Sequence, residues 1–378
     1  MNVQVRAGKK EWIGLAVLAL PALLVAVDIF VMLLALPRIS TDLGANSTQQ
    51  LWITDIYSFM IAGFLVTMGT LGDRIGRRKL LLIGGTAFSL ASVLAAYSVN
   101  VEMLILARAF LGIAGATLGP STLALISNMF PDPRQRSLAI GIWLVCFIGG
   151  AAVGPVVGGV MLEHFWWGSV FLLGVPVMVL LWVLGPTFLP EYKDDSAGRI
   201  DLASVALSLG AILSVIFGLK ELAKDGVTAL PIAAIVIGLV VGAMFIKRQR
   251  TLVDPLVDLK LFSNHEFRVA LGCMLAGTML MGATMVFITQ ALQLVYGLKP
   301  LDAGLWMVPA MLCSIISFQF TPLVARRVRP AYLISGGLMF AVVGLVMLTQ
   351  VALDASPVYL IIAFSLISLG AGPLVTLG

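Results

Sequence analysis

Gly69-Thr-Leu-Gly-Asp-Arg-Ile-Gly-Arg-Arg-Lys79 is a polar turn between two apolar stretches, 51–71 and 80–98. Each stretch is close to the roughly 20 residues that a helix needs to cross the hydrocarbon of a bilayer. The turn carries Arg74, Arg77, Arg78 and Lys79, the single acid Asp73, and the glycines Gly69, Gly72 and Gly76. Two lipid-crossing helices joined by so short a link must lie side by side. The link itself belongs at the membrane face where cations collect.

Composition points the same way. Hydrophobic residues make up 60% of the chain and charged residues 11%, with a mean hydropathy of +1.05. A soluble domain carries about 25% charged residues, so the excess apolar surface requires lipid as its solvent. The net charge of +5 is spread over short loops between apolar spans. That pattern encodes topology rather than a nucleic-acid-binding face. Cys146, Cys273 and Cys313 stand singly in apolar spans, with no pairing or metal-ligand spacing. His164 and His265 are far apart. There is no phosphate-cradling GxxxxGK[ST] and no Ser/His/Asp constellation. No cofactor, metal or enzymatic chemistry is therefore expected, and ATP does not power this chain directly.

Apolar spans are predicted near 12–36, 51–71, 80–98, 103–129, 137–162, 168–189, 202–221, 229–247, 267–291, 303–324, 331–350 and 357–378. This is an all-α integral membrane protein with twelve helices. Arg6, Lys9 and Lys10 precede an apolar run of about 25 residues, too long for a signal-peptide core, so it reads as a retained first helix. Most of the 24 Lys and Arg fall at the N-terminus and in the loops at 72–79, 130–136, 190–200, 248–266 and 325–330. The opposite loops hold Arg38, Lys220, Lys224 and Lys299. By the positive-inside rule the N-terminus is cytoplasmic.

A weak internal repeat sets the expected plan. A shift of 252 residues lays Arg74 on Arg326, Arg77 on Arg329 and Gly84-Gly85 on Gly336-Gly337, while Asp73 meets Ala325. The first copy joins helices two and three, the second joins helices ten and eleven. Two tandem six-helix halves would be offset by six helices, not eight, so two extra helices lie between them. The plan is 6+2+6, with twelve of fourteen helices present: 1–189 an N-terminal six-helix bundle, 190–266 a two-helix insert with flanking loops, 267–378 a partial C-terminal bundle.

Three charges fall inside spans. At ~1.5 Å rise per residue, Asp28 lies about 12 Å from the outer end of its helix, Asp55 about 6 Å and Arg108 about 8 Å. All three are expected in the outer half of one bundle. A charge in lipid costs roughly 2.5–3.5 kcal/mol on insertion scales, so these residues should face a polar cavity or each other. Shielding raises an aspartate pKa and a nearby arginine lowers it, the competition a proton-coupling site needs. A structural ion pair is the competing reading. Trp52, Tyr57, Phe59, Trp143 and Phe147 offer aromatic faces that attract lipophilic cations. Interface anchoring accounts for Trp52 equally well.

The span 137–162 contains Gly150-Ala-Ala-Val-Gly154-Pro155-Val-Val-Gly158-Gly159. Glycines four apart make a flat helix face that a neighbouring backbone can approach, and Pro155 removes one backbone hydrogen bond and invites a bend.

These motifs carry a resemblance. The 69–79 turn resembles the loop between helices two and three of major facilitator superfamily transporters, roughly GxLaDrxGrkxxL. Gly150 to Gly159 resembles the helix-five antiporter motif gxxxGPxxGG. Arg108-Ala-Phe-Leu-Gly112 resembles the helix-four RxxxG motif, and Asp28 with Ala35-Leu36-Pro37 resembles the helix-one signature of fourteen-helix drug:proton antiporters. Ile29, Phe30, Val31 and Met32 make that stretch more apolar than the family pattern. Leu51-Trp-Ile-Thr-Asp-Ile-Tyr-Ser58 and Leu162-Glu-His-Phe-Trp-Trp-Gly-Ser-Val-Phe171 are similar to the methyl-viologen type of resistance pump.

The resemblance implies a monomeric, proton-coupled antiporter of the bacterial cytoplasmic membrane that exports lipophilic cations. It implies coupling at Asp28, Asp55 and Arg108, and a cytoplasmic gate at Gly69, Gly72, Asp73, Arg74, Gly76, Arg77 and Arg78. The same loop also reads as a topology anchor. A symporter for another small solute and an inactive membrane protein are the alternatives. Under the 6+2+6 plan, the chain ending at Gly378 is expected to insert without conferring resistance until about two more helices are added.

Overall fold

The structure, a computed structural model, describes residues 7–193, 201–252, 255–257, 259–325, 327–350 and 356–376. Arg6, Arg326 and parts of the 190–266 segment lie outside the described residues. The elements are α1 (Lys9–Leu43), α2 (Ser47–Ile75), α3 (Arg77–Ala96), α4 (Val101–Met129), α5 (Pro133–His164), α6 (Ser169–Leu172) and α7 (Gly174–Phe188). They continue with α8 (Leu202–Asp225), α9 (Ala229–Gln249), α10 (His265–Gln290), α11 (Pro300–Val324), α12 (Pro330–Thr349) and α13 (Pro357–Thr376). Among the described residues 12 helices are long and apolar enough to cross a membrane, with α6 and α7 forming one of them. Helix is the expected outcome in lipid, where every backbone N–H must find its acceptor within its own segment.

The helix ends follow from local chemistry. Asn46 and Gln49 form a reciprocal capping box at the start of α2. The Asn100 side chain accepts from Met103 N at the start of α4, and Asn264 does the same for Glu266 N at α10. Pro21, Pro120, Pro155 and Pro373 lie inside helices, which membrane helices tolerate when neighbours satisfy the freed carbonyls.

Several helices run past their predicted spans, and two of these extensions reshape a motif. α1 does not stop at Pro37 but runs on to Leu43. The Ser40 and Thr41 hydroxyls donate to the Leu36 and Pro37 carbonyls, and Gly44, at φ 67, ends the helix. The 72–79 turn shrinks to one residue. α2 continues through Asp73 and Arg74 to Ile75, and Gly76 at φ 110 is the whole break before α3.

The chain forms two compact units that interleave along the sequence. The first comprises residues up to Leu18, Ala45–Arg136 and Gly174–Ser263. Here α4 is the central helix against which α2 and α3 pack, α7 lies on α3, and α8 packs on both α9 and α2. α8 and α9 are close along one face, where a Cβ on Gly238 would meet the Val215 backbone and the Ala211 carbonyl. Their ends are tied by Arg248, whose Nε and Nη2 donate to the two Asp201 carboxylate oxygens at 2.5 and 3.0 Å. Buried Gln249 adds a hydrogen bond to Ser204 Oγ at 2.7 Å.

The second unit comprises Ala19–Gly44, Ser137–Leu173 and Asn264–Gly378. In it α13 packs against α10, α11 and α12. Its core gathers Met285, Ile288, Leu292, Met307, Leu360 and Phe364. α12 and α13 meet through small residues, since a Cβ on Gly337 would strike the Gly370 carbonyl and one on Gly344 the Ala363 carbonyl.

Candidate functional site

The α2–α3 junction is built around Gly76. Its positive φ suits glycine, and a Cβ there would lie 2.6 Å from Glu191 Oε1. Across the break, Arg77 Nε donates to Asp73 Oδ1 at 2.7 Å and its Nη2 pairs with the same oxygen. Arg77 is buried, and its backbone N donates to the Tyr192 carbonyl at 2.8 Å. Arg78 reaches the end of α7, donating to the carbonyls of Leu189 at 3.0 Å and Pro186 at 3.3 Å. Glu191 accepts from Arg78 N at 3.0 Å. Gly72 leaves room for the Arg77 side chain, whose Cδ would lie 3.0 Å from a Cβ there. Gly69 faces Pro120 loosely, and Arg74 is exposed. The acid, both inner arginines and the segment after α7 thus clamp the ends of α2, α3 and α7 together.

A second cluster lies between α2, α4 and α8. Arg108, 1% exposed, donates from Nε to the Ile53 carbonyl at 3.1 Å. Its guanidinium stands 4.6 Å from the centre of the Tyr57 ring. Gly112, one helical turn on, lets α4 touch α2, because a Cβ there would collide with the Tyr57 carbonyl. Arg108 and Gly112 therefore work as one contact: the glycine sets the approach and the arginine caps a carbonyl inside it. Asp55, on α2 like Ile53 and Tyr57, forms an ion pair at 2.5 Å with Lys220 of α8. Lys220 Nζ also donates to the Leu51 carbonyl at 3.0 Å.

In the second unit, α5 lays its glycines on α1. A Cβ at Gly150 would collide with the Leu23 carbonyl, one at Gly154 would lie 3.3 Å from Val27 Cα, and one at Gly158 would press on Val31. Gly159 and Pro155 serve a different neighbour. A Cβ on Gly159 would meet Leu301 Cα at 2.6 Å, and one on Gly304 would meet Pro155 at 2.9 Å. α5 is therefore held between α1 and α11 through its motif. Asp28 follows Val27, within the α1 stretch that α5 grips, and is partly exposed. Trp143 and Phe147 stack one turn below the motif on α5, 6.1 Å apart.

The three span charges do not share a unit: Asp28 belongs to the second, Asp55 and Arg108 to the first. The aromatic residues divide likewise, with Trp143 and Phe147 on the Asp28 side. Sequence reasoning missed Lys220, reading it as an outer-loop cation. The available signal was its position one residue from the end of an apolar span, where a lysine stem can run back along the helix.

The twelve apolar helices among the described residues, with charged side chains set inside them, define a multi-pass membrane protein. Residues 18–378 match the profile of the Major Facilitator Superfamily. The chain is 44% identical over 367 residues to the multidrug efflux pump LfrA of Mycolicibacterium smegmatis, covering 97% of this chain and 73% of that protein. It is 34% identical over 330 residues to the methyl viologen resistance protein SmvA of Salmonella typhimurium, covering 87% and 67%. A crystal structure of the peptide transporter POT in complex with sulfate shares the fold at a TM-score of 0.64 and 17% identity, covering 94% and 79%. The chain belongs to the Major Facilitator Superfamily, and is accordingly a transporter rather than an enzyme.

Proposed function

We propose that this chain is a proton-coupled antiporter exporting lipophilic cations, including quaternary ammonium compounds, dyes and dications of the methyl viologen kind. It acts as a monomer in the bacterial cytoplasmic membrane, with its N-terminus inside. The observation that carries this reading is the glycine face of α5 seated on the α1 stretch that holds Asp28. A smooth contact lets one helix slide or rock on another with little steric penalty, and it does so beside an acid placed within a span. The names of the relatives, a multidrug efflux pump and a methyl viologen resistance protein, support the same direction and substrate class.

In this mechanism a proton moving inward neutralises Asp28 or Asp55 and displaces the bound cation outward. One charge falling through 100 mV supplies ~2.3 kcal/mol. An exchange of one proton for one monocation moves no net charge and is driven by the proton concentration gradient alone, so the potential contributes only where more proton charge enters than cation charge leaves. Arg108 holds the α2–α4 contact through the Ile53 carbonyl and the Tyr57 ring. Gly69, Gly72, Asp73, Arg74, Gly76, Arg77 and Arg78 form the cytoplasmic gate, opening when the clamp on α7 releases.

The 6+2+6 plan remains our proposal for the architecture, with α8 and α9 as the inserted pair. In support, α4 packs on α2 and α3 as α13 packs on α11 and α12. Proteoliposomes that hold the protein in its proposed fourteen-helix form and are loaded with a fluorescent lipophilic cation test the function. An inward proton gradient should drive the cation out, and collapse of the gradient should stop it. Cation movement in the same direction as the proton would overturn the antiport reading in favour of a symporter.

A further inference from the structure

Lys220 has surroundings that a lysine at a membrane boundary does not need. Its ammonium lies 2.5 Å from Asp55 Oδ2 and 3.0 Å from the Leu51 carbonyl oxygen. It also stands 5.3 Å from the centre of the Trp52 ring and 5.2 Å from that of Phe59. The two rings meet edge to face at 6.4 Å, and Phe217 of α8 stacks on Trp52 at 6.2 Å. One carboxylate, one carbonyl and two aromatic rings are the parts of a box for an organic cation. Here the chain's own ammonium fills it.

The box opens onto a groove of about 440 Å³ between α2, α8 and α9, lined by Trp52, Ile56, Phe59, Leu213, Phe217 and Ile237. Only Ser214 adds a side-chain hydroxyl to that lining. An apolar groove leading to a carboxylate and aromatic rings suits a molecule that is both greasy and positively charged. The Asp55 side chain is 38% exposed, so the acid is accessible to such a molecule.

We propose that Lys220 is a tethered competitor for this box: a lipophilic cation binds by displacing its ammonium from Asp55, Trp52 and Phe59, with the apolar body of the cation in the α2–α8–α9 groove. The proposal rests on the lipophilic-cation reading above and adds to it a role for α8. The exchange is neutral overall, one cation leaving the carboxylate as another arrives, and no proton is consumed in it. The lysine keeps the acid compensated when no ligand is bound, which avoids a lone carboxylate at the membrane. It also sets a threshold, because only a cation with enough apolar surface to fill the groove displaces a partner tethered at high effective concentration. A small hydrophilic ammonium does not.

The test uses tetraphenylphosphonium, a lipophilic monocation with no N–H donor, and the purified chain in lipid nanodiscs. If Lys220 leaves the box free about one tenth of the time, Lys220→Gln should tighten binding about tenfold. Lys220→Gln combined with Asp55→Asn should bind more weakly than wild type. Unchanged or weaker binding in folded Lys220→Gln would make the ion pair a structural staple and overturn the proposal. A second measurement needs no variant. Saturating tetraphenylphosphonium should speed acylation of Lys220 by an amine-reactive ester, read by peptide mass spectrometry, because the displaced ammonium turns outward. Unchanged or slower labelling would place the bound cation elsewhere. The outcomes separate from the export reading: a chain that binds as described but moves no cation loses the transport proposal alone. A chain that exports cations with unaltered affinity in Lys220→Gln loses the box.

Discussion

Gly150 of α5 lies so close to the carbonyl oxygen of Leu23 on α1 that a Cβ on the glycine would collide with it. The approach recurs at Gly154 against Val27 and at Gly158 against Val31. Both helices step by four residues, so a row of α1 backbone and side chains rides along a row of α5 with no side chains. Closeness here is a property of the pair, and it brackets Asp28.

Gly150→Leu and Gly154→Leu should each destabilise the chain by about 1–3 kcal/mol, the usual cost of overpacking, and abolish efflux. Gly141→Ala and Gly149→Ala, where a Cβ would meet nothing within 4 Å, should leave Tm and efflux unchanged. Thermal unfolding in detergent with parallel vesicle transport reads both. Similar losses in the two sets would remove the α1–α5 approach as the cause.

Asp28→Asn keeps the shape of the side chain and removes its charge. Insertion should be normal, proton-driven efflux should fall to background, and dication binding should weaken more than monocation binding. Inverted vesicles with a quenching dye measure the transport. Antiport at the wild-type rate by the Asn variant would exclude Asp28 from coupling.

At the α2–α3 break, Gly76→Ala must place a side chain at φ 110 and against Glu191. A cost of about 1–3 kcal/mol is expected for such backbone strain, seen as a lowered Tm. Asp73→Asn removes the charged partner of Arg77. It should keep substrate binding and slow transport several-fold, because the clamp on the helix ends weakens. An Asp73→Asn chain with unaltered transport would leave the loop with a topological role only.

The α8–α9 tie has a defined pH window. Hydrogen bonding to Arg248, with a smaller contribution from Ser204, holds the Asp201 carboxyl well below the usual carboxylate range. A depressed folded pKa contributes stability above the unfolded value, ~3.9 for Asp, and that stability is lost as pH falls through the folded value. The Tm difference between wild type and Asp201→Asn should therefore be constant from about pH 8 to pH 5 and narrow only below about pH 4. Narrowing already at pH 6 would contradict the assignment of the tie to Asp201.

The twelve spans were legible because lipid imposes a one-dimensional rule. About 20 apolar residues in a row can do little else than cross, and that count needs no knowledge of neighbours. The glycine rhythm from Gly150 to Gly159 was legible for the same reason, since spacing along one helix defines a face before any partner is known. Boundaries were less so. Hydropathy ends a span where charge begins, yet α2 carries its helix through Asp73 and Arg74 because backbone hydrogen bonds continue to Gly76.

What faces what was decided only by the tertiary structure. Lys220 and Leu51 are 169 residues apart in sequence, and nothing local to either predicts that the lysine will close over Asp55. The two-sided use of α5, with Gly150, Gly154 and Gly158 toward α1 and Gly159 toward α11, likewise has no signature in the string of letters. The sequence alone determined which segments enter the membrane, since burial in lipid is a cost each segment meets by itself. The pairing of charges depended on packing, because an ion pair or a cation box exists only where folding brings distant side chains within a few ångströms.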